Sequence, residues 1–229
     1  MNVFDLGDSR SIALRRFYRL EKRLAGDPIL KQEYHRVMDE YIRFGHMTLL
    51  PSETPPGFYL PHHSVKKETS DTTKVRVVFD ASVKTSKGVS LNNLLMIGPT
   101  IQLNFFEHLL RFRSHKYVLT AEFAKMYEQV WLHPDDRHYQ RVFWYHDGKI
   151  RVFQLNTVTF GVSPAPFLAI KTIHKFADDE SSSFSLGAEI LKRDLYVDDL
   201  LTGADTYDKL EKIQSQVIQV LKRGGFDIR

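Results

Sequence analysis

The sequence predicts an α+β fold, with helices packed on one face of a mostly antiparallel sheet. From Tyr117 onward the patterns run strand, helix, hairpin, helix, hairpin, helix, an order that mixes both elements in one layered unit. Asp147-Gly148 joins two β-rich runs and supplies the positive φ that a tight hairpin needs. Apolar residues recur at helical spacing near both ends of the chain.

Taken in order, Ile12, Leu14, Phe17, Leu20 and Leu24 line one side of a first helix among basic residues. A second opens on Asp27 as cap with Pro28 in its first turn, carries Leu30, Tyr34, Val37, Met38 and Tyr41, and stops near Gly45. Four prolines between Met47 and Pro61 predict an extended crossover. Tyr59-Leu60, His63-Ser64-Val65 and Val75 to Phe79 read as strands, with a polar loop over Lys66 to Thr73. A long loop through Gly88 reaches Leu91, and Ile101 to Phe112 reads as a helix. Tyr117 to Ala121 is a strand ending at Glu122, and Arg141 to Tyr145 and Lys149 to Leu155 are hairpin arms. Ser163 to Phe176 reads as a helix with prolines at its start, and Asp178 to Ser185 as a polar loop. Leu195-Tyr196-Val197 and Leu200-Leu201 flank Asp198-Asp199, and a last helix from Asp205 or Thr206 ends at Gly224-Gly225.

Composition narrows the function classes. The 229 residues, 42% hydrophobic and 12% aromatic, exclude a disordered chain and suffice for one large or two small packed domains. Thirty-two lysines and arginines against 28 acids leave a net charge of +4, which permits contact with a polyanion without demonstrating it. With no cysteine, disulfides and thiolate zinc sites are excluded, and a reducing intracellular setting fits. No apolar run approaches the roughly 20 residues that span a bilayer. The start, Met1-Asn2-Val3-Phe4-Asp5, has no signal-peptide pattern, so an intracellular protein without membrane association is expected.

The candidate chemistry gathers around carboxylates. Hard divalent cations take carboxylate oxygens, and a strand end beside a hairpin turn is rigid enough to hold like charges close. Glu122 ends a strand and Asp198-Asp199 occupy a turn between apolar arms, where their repulsion is costly unless a cation offsets it. His62-His63 has no partner at ligand spacing.

Tyr196-Val197-Asp198-Asp199 resembles the reverse-transcriptase signature turn, and other blocks stand in order around it. Thr120 to Tyr127 resembles the first palm motif, with an acid at a strand end and an aromatic five residues later; Phe160 to Phe167 resembles the loop-helix motif beside template and nucleotide; Lys74 to Asp80 resembles the fingers strand that meets the triphosphate. The wording of Tyr59 to His63, Val77 to Ser82, Leu155 to Gly161 and Tyr196 to Gly203 is similar to the Bel-Pao class of LTR retrotransposons.

That resemblance implies a reverse-transcriptase-like fingers and palm: a helical lead-in and crossover over 1–58, a fingers-like region over 59–115 and a palm over 116–229. It implies an RNA-directed DNA polymerase working by two-metal nucleotidyl transfer with Mg2+, or Mn2+, on an RNA or DNA template with primer and deoxynucleoside triphosphates. Glu122, Asp198 and Asp199 would be catalytic and hold the metals, Asp198 being the more important ligand. Tyr127 would exclude a 2′-hydroxyl, Arg76 and Lys74 would clamp the triphosphate, Phe160 and Gly161 would lie beside the nascent base pair, and Tyr196 would flank the primer end. The location implied is the cytoplasm or retroelement particles. On residues alone, Tyr127 and Phe160 also fit core aromatics, and Arg76, alternating with Val75 and Val77, also fits a solvent-facing strand.

Two departures stand out. The first palm motif ordinarily carries aspartate; Glu122 adds one methylene, about 1.5 Å of reach. The chain also ends just after the helix that follows the Asp-Asp hairpin, where the family continues into a primer-gripping hairpin and thumb. The expectation is an impaired enzyme fragment without the other polyprotein domains, or a non-catalytic nucleic-acid-binding remnant of a decayed retroelement.

Overall fold

The computed structural model describes residues 6–66 and 75–229. In chain order its elements are α1 (Arg10–Ala25), α2 (Pro28–Arg43), β1 (Met47–Leu49), β2 (His62–Lys66), β3 (Val75–Phe79), α3 (Leu91–Leu94), α4 (Phe105–Arg113), β4 (Tyr117–Glu122), β5 (Arg141–His146), β6 (Lys149–Leu155), α5 (Ala165–Glu180), α6 (Ser185–Arg193), β7 (Leu195–Tyr196), β8 (Asp199–Ala204) and α7 (Tyr207–Arg223). The mixed α+β class and antiparallel pairing hold, with the strands distributed over three sheets ordered β1-β6-β5, β2-β3 and β4-β8-β7. Among the described residues no helix is long and apolar enough to cross a membrane.

The chain divides into two compact units that interleave in sequence. The first comprises Met1–Met96 and Trp131–Ala165. Its helices form as the sequence reads: Asp27 accepts a hydrogen bond from the Leu30 amide at 3.0 Å, Pro28 opens α2, and Gly45 at φ 74° turns the chain away. Phe17, Tyr34, Phe79 and Trp144 are buried there against His62. The β5–β6 turn has Asp147 at φ 50° and Gly148 at φ 72°, the left-handed pair that a two-residue hairpin demands.

The second unit comprises Ile97–Val130 and Pro166–Arg229. Here β4 pairs along its length with β8, from Tyr117 opposite Ala204 to Glu122 opposite Asp199. Ile213, Val217, Val220 and Leu221 are the buried stripe of α7.

Four expectations are corrected. The proline-rich stretch is not all crossover, because Met47 is buried and β1 pairs with β6. The helix expected from Ile101 starts at Phe105, where Asn104 and Glu107 form a reciprocal capping box. The helix expected after β4 is instead two 3₁₀ turns, Met126–Gln129 and Pro134–Tyr139. The Asp178 to Ser185 loop is shorter than expected, only 181–184, because α5 runs to Glu180 and α6 begins at Ser185. Gly187, a poor helix former by propensity, lets α6 approach α7, since a Cβ there would lie 2.8 Å from that of Gln216. The predicted loop over 67–73, like Lys74, lies outside the described residues.

Candidate active site

The second unit brings together Glu122, Tyr127, Tyr196, Asp198 and Asp199. Glu122 stands directly opposite Asp199, so the two share a face of the sheet, and the Phe123 amide donates to the Asp198 carbonyl at 2.8 Å. The other edge of Glu122 is paired as well: its amide donates to the Arg229 carbonyl at 2.7 Å and its carbonyl accepts from the Arg229 amide at 3.0 Å. Its backbone is therefore pinned from both sides.

After Glu122 the chain doubles back through Lys125, at φ 51°, into the 3₁₀ turn that carries Tyr127. Burial, and next the charge of Asp198, push the Tyr127 phenol above its ordinary pKa, so it stays protonated at neutral pH. Tyr196 is half-buried and packs on Phe105 and His108, with ring centroids 5.0 and 5.4 Å away.

The turn itself is strained. Val197, a β-branched residue, sits at φ 53° in the left-handed region. Gln102 holds it there: its side-chain nitrogen donates to the Leu195 carbonyl at 2.8 Å and its oxygen accepts from the Val197 amide at 3.2 Å. At the base of the hairpin the buried Asp194 carboxylate accepts from Arg193 at 2.9 Å, Thr202 at 2.8 Å and Arg111 at 3.3 Å. Burial alone would raise the Asp194 pKa, and these three donors outweigh it and hold the group below the usual carboxylate range.

In donor type the three acids suit a hard divalent cation. Among the described residues, however, no three acidic or imidazole side chains converge as a group able to hold a metal ion. The Glu122 carboxylate lies 4.0 Å from the Arg229 guanidinium. Taking up a cation would turn Glu122 away from that partner.

In the first unit, Arg76 is half-buried on β3 with its guanidinium over the Phe160 ring, 5.5 Å from the centroid. Phe160 is itself half-buried, and its carbonyl accepts from the Phe79 amide at 3.0 Å. Gly161 has φ 110°, and a Cβ there would fall 2.0 Å from the Phe79 carbonyl oxygen, so no other residue fits. Asn92 secures this loop by donating to the Gly161 carbonyl at 2.9 Å and accepting from the Ser163 amide at 2.8 Å.

Sequence reading missed Gln102 and Asn92. Each makes its contacts across roughly 70 to 95 residues of chain, so no local pattern announces it.

A family model of reverse transcriptases (RNA-dependent DNA polymerases) matches residues 65–229. The chain belongs to that family. Its reaction takes a nucleic-acid template and deoxynucleoside triphosphates and uses divalent metal ions. No curated protein matches the chain.

Proposed function

We propose that this chain is the fingers and palm of an RNA-directed DNA polymerase of the Bel-Pao class, catalysing attack of a primer 3′-hydroxyl on the α-phosphate of a deoxynucleoside triphosphate. The observation that carries this reading is the pairing of Glu122 with Asp199 beside the Asp198 carbonyl, where motif acids from separate strands meet. Glu122, Asp198 and Asp199 would hold Mg2+ or Mn2+, and the ion would supply positive charge that offsets the charge developing in nucleotidyl transfer. Tyr127, protonated and half-buried beside Asp198, excludes the 2′-hydroxyl. Arg76, with Lys74, meets the triphosphate, Phe160 and Gly161 border the base pair, and Tyr196 flanks the primer end. In this reading 59–115 serves as fingers and 116–229 as palm.

Glu122 slows the reaction. Its backbone is paired on both edges, so the extra methylene cannot be absorbed by a strand shift. A misplacement of about 1 Å costs on the order of a hundredfold in rate. The contact of Glu122 with Arg229 and the lack of a converged three-ligand group among the described residues favour a second reading, a nucleic-acid-binding remnant without catalysis.

Primer extension on a homopolymeric RNA template with Mg2+ or Mn2+ separates the two. The polymerase reading expects slow extension, abolished by Asp198→Asn and raised up to about a hundredfold by Glu122→Asp. No extension from either the wild type or Glu122→Asp sinks intrinsic activity, and filter binding of nucleic acid that persists without it favours the remnant.

A further inference from the structure

The chain's basic excess is concentrated in one helix that lies outside the family match. In α1 six basic residues stand against one glutamate, a net of +5, while the whole chain carries only +4. Everything else therefore sums to −1. Arg15, Arg19 and Arg23 recur every four residues along the exposed side of α1. Together with Arg16, His62 and His63 they line a cleft of about 590 Å³ between the helix and β2.

Like charges at that spacing repel, and the local structure does little to relieve them. Among the described residues Arg16 reaches Asp80 at 3.3 Å, but Arg15, Arg19 and Arg23 form no ion pair with a carboxylate. The single acid of the helix, Glu21, hydrogen-bonds Tyr145 instead. His62 adds no charge, since burial holds its pKa down to about 4. What remains is a row of uncompensated guanidiniums beside a groove, an arrangement that favours a linear polyanion over a compact one. Arg15 to Arg23 spans about 12 Å at 1.5 Å per residue. Three guanidiniums spaced about 6 Å apart along the helix can each meet a phosphate of one strand.

The geometry points to the α1 cleft as a binding site for the phosphate backbone of a single nucleic-acid strand, separate from the motif residues of the palm. The site grips without reading sequence, because guanidiniums on phosphates carry no base information. It does not require polymerisation, so it stands whether or not the acids are active.

The test is fluorescence anisotropy of a labelled 20-nucleotide single-stranded RNA bound to the full chain, titrated over salt. The variants are Arg15→Gln/Arg19→Gln/Arg23→Gln, the corresponding Arg→Lys triple, and a charge-matched control on α7, Lys209→Gln/Lys212→Gln/Lys222→Gln. Three lost phosphate contacts should reduce the log–log salt slope by about 2 and weaken binding about a hundredfold at 0.1 M salt. The lysine triple should stay within a few-fold of wild type, and the α7 control should match it. Circular dichroism checks that each variant folds. No measurable binding by wild type, equal loss in the α7 control, or an unchanged slope in the glutamine triple overturns the assignment. So does displacement of the RNA by polyglutamate as readily as by unlabelled RNA, which would make the cleft an acidic-peptide site. Loss of primer extension with this binding intact sinks the polymerase reading alone.

Discussion

Gln102→Ala should release the strained turn between Tyr196 and Asp199. The side chain makes two hydrogen bonds to the hairpin backbone, to Leu195 at 2.8 Å and Val197 at 3.2 Å. At about 1 kcal/mol net for each bond, the substitution should cost about 2 kcal/mol of stability, read as a lower urea midpoint. The effect on function comes from Val197, whose left-handed backbone, at φ 53°, costs about 1–2 kcal/mol and is opposed by the clamp. Without Gln102 the turn relaxes, and a shift of 1–2 kcal/mol lowers the competent population about 5- to 30-fold. In primer extension supported by Mn2+ this should appear as a fall in kcat with little change in the nucleotide KM. Val197→Gly, which accepts positive φ without strain, should restore most of the rate in the double variant. A Gln102→Ala protein within 0.5 kcal/mol of wild type, or a double variant that stays as slow as the single one, would refute the clamp.

Two further outcomes follow. Gly161→Ala forces a Cβ to within 2.0 Å of the Phe79 carbonyl at φ 110°, so thermal unfolding should show a loss on the order of 3 kcal/mol; an unchanged Tm would mean the loop is elsewhere. His62 is buried, donating from Nε2 to the Phe143 carbonyl at 2.9 Å and accepting from the Tyr34 hydroxyl on Nδ1, which fixes a neutral ring. Its pKa falls from 6.5 to about 4 because burial disfavours the charge. A depressed folded pKa contributes stability that is full above 6.5 and is lost as pH falls toward 4. The stability margin of wild type over His62→Gln should therefore shrink by about 2 kcal/mol from pH 7 to pH 4.5 in urea unfolding, and a constant margin would contradict a neutral buried ring.

Much of the fold was legible because its signals are local. Asp27-Pro28, Asp147-Gly148 and Thr206 each dictate backbone geometry within a few residues, and the elements they start or join lie as read. The first helix of the α6–α7 pair was hidden by Gly187, whose packing role needs a partner 29 residues away. The motif acids were visible as types, while the double-sided pairing of Glu122 was not, since it depends on Arg229. Even the +4 charge looked diffuse until α1 could be seen as one exposed face.

The central claim is that Glu122, Asp198 and Asp199 hold a divalent cation, and Mn2+ binding followed by electron paramagnetic resonance tests it most directly. The account predicts loss of the free-Mn2+ signal on adding wild-type protein, stronger binding with Glu122→Asp, and recovery of the free signal with Asp198→Asn/Asp199→Asn. Equal Mn2+ binding by wild type and the double asparagine variant, or none by wild type and Glu122→Asp, would contradict it.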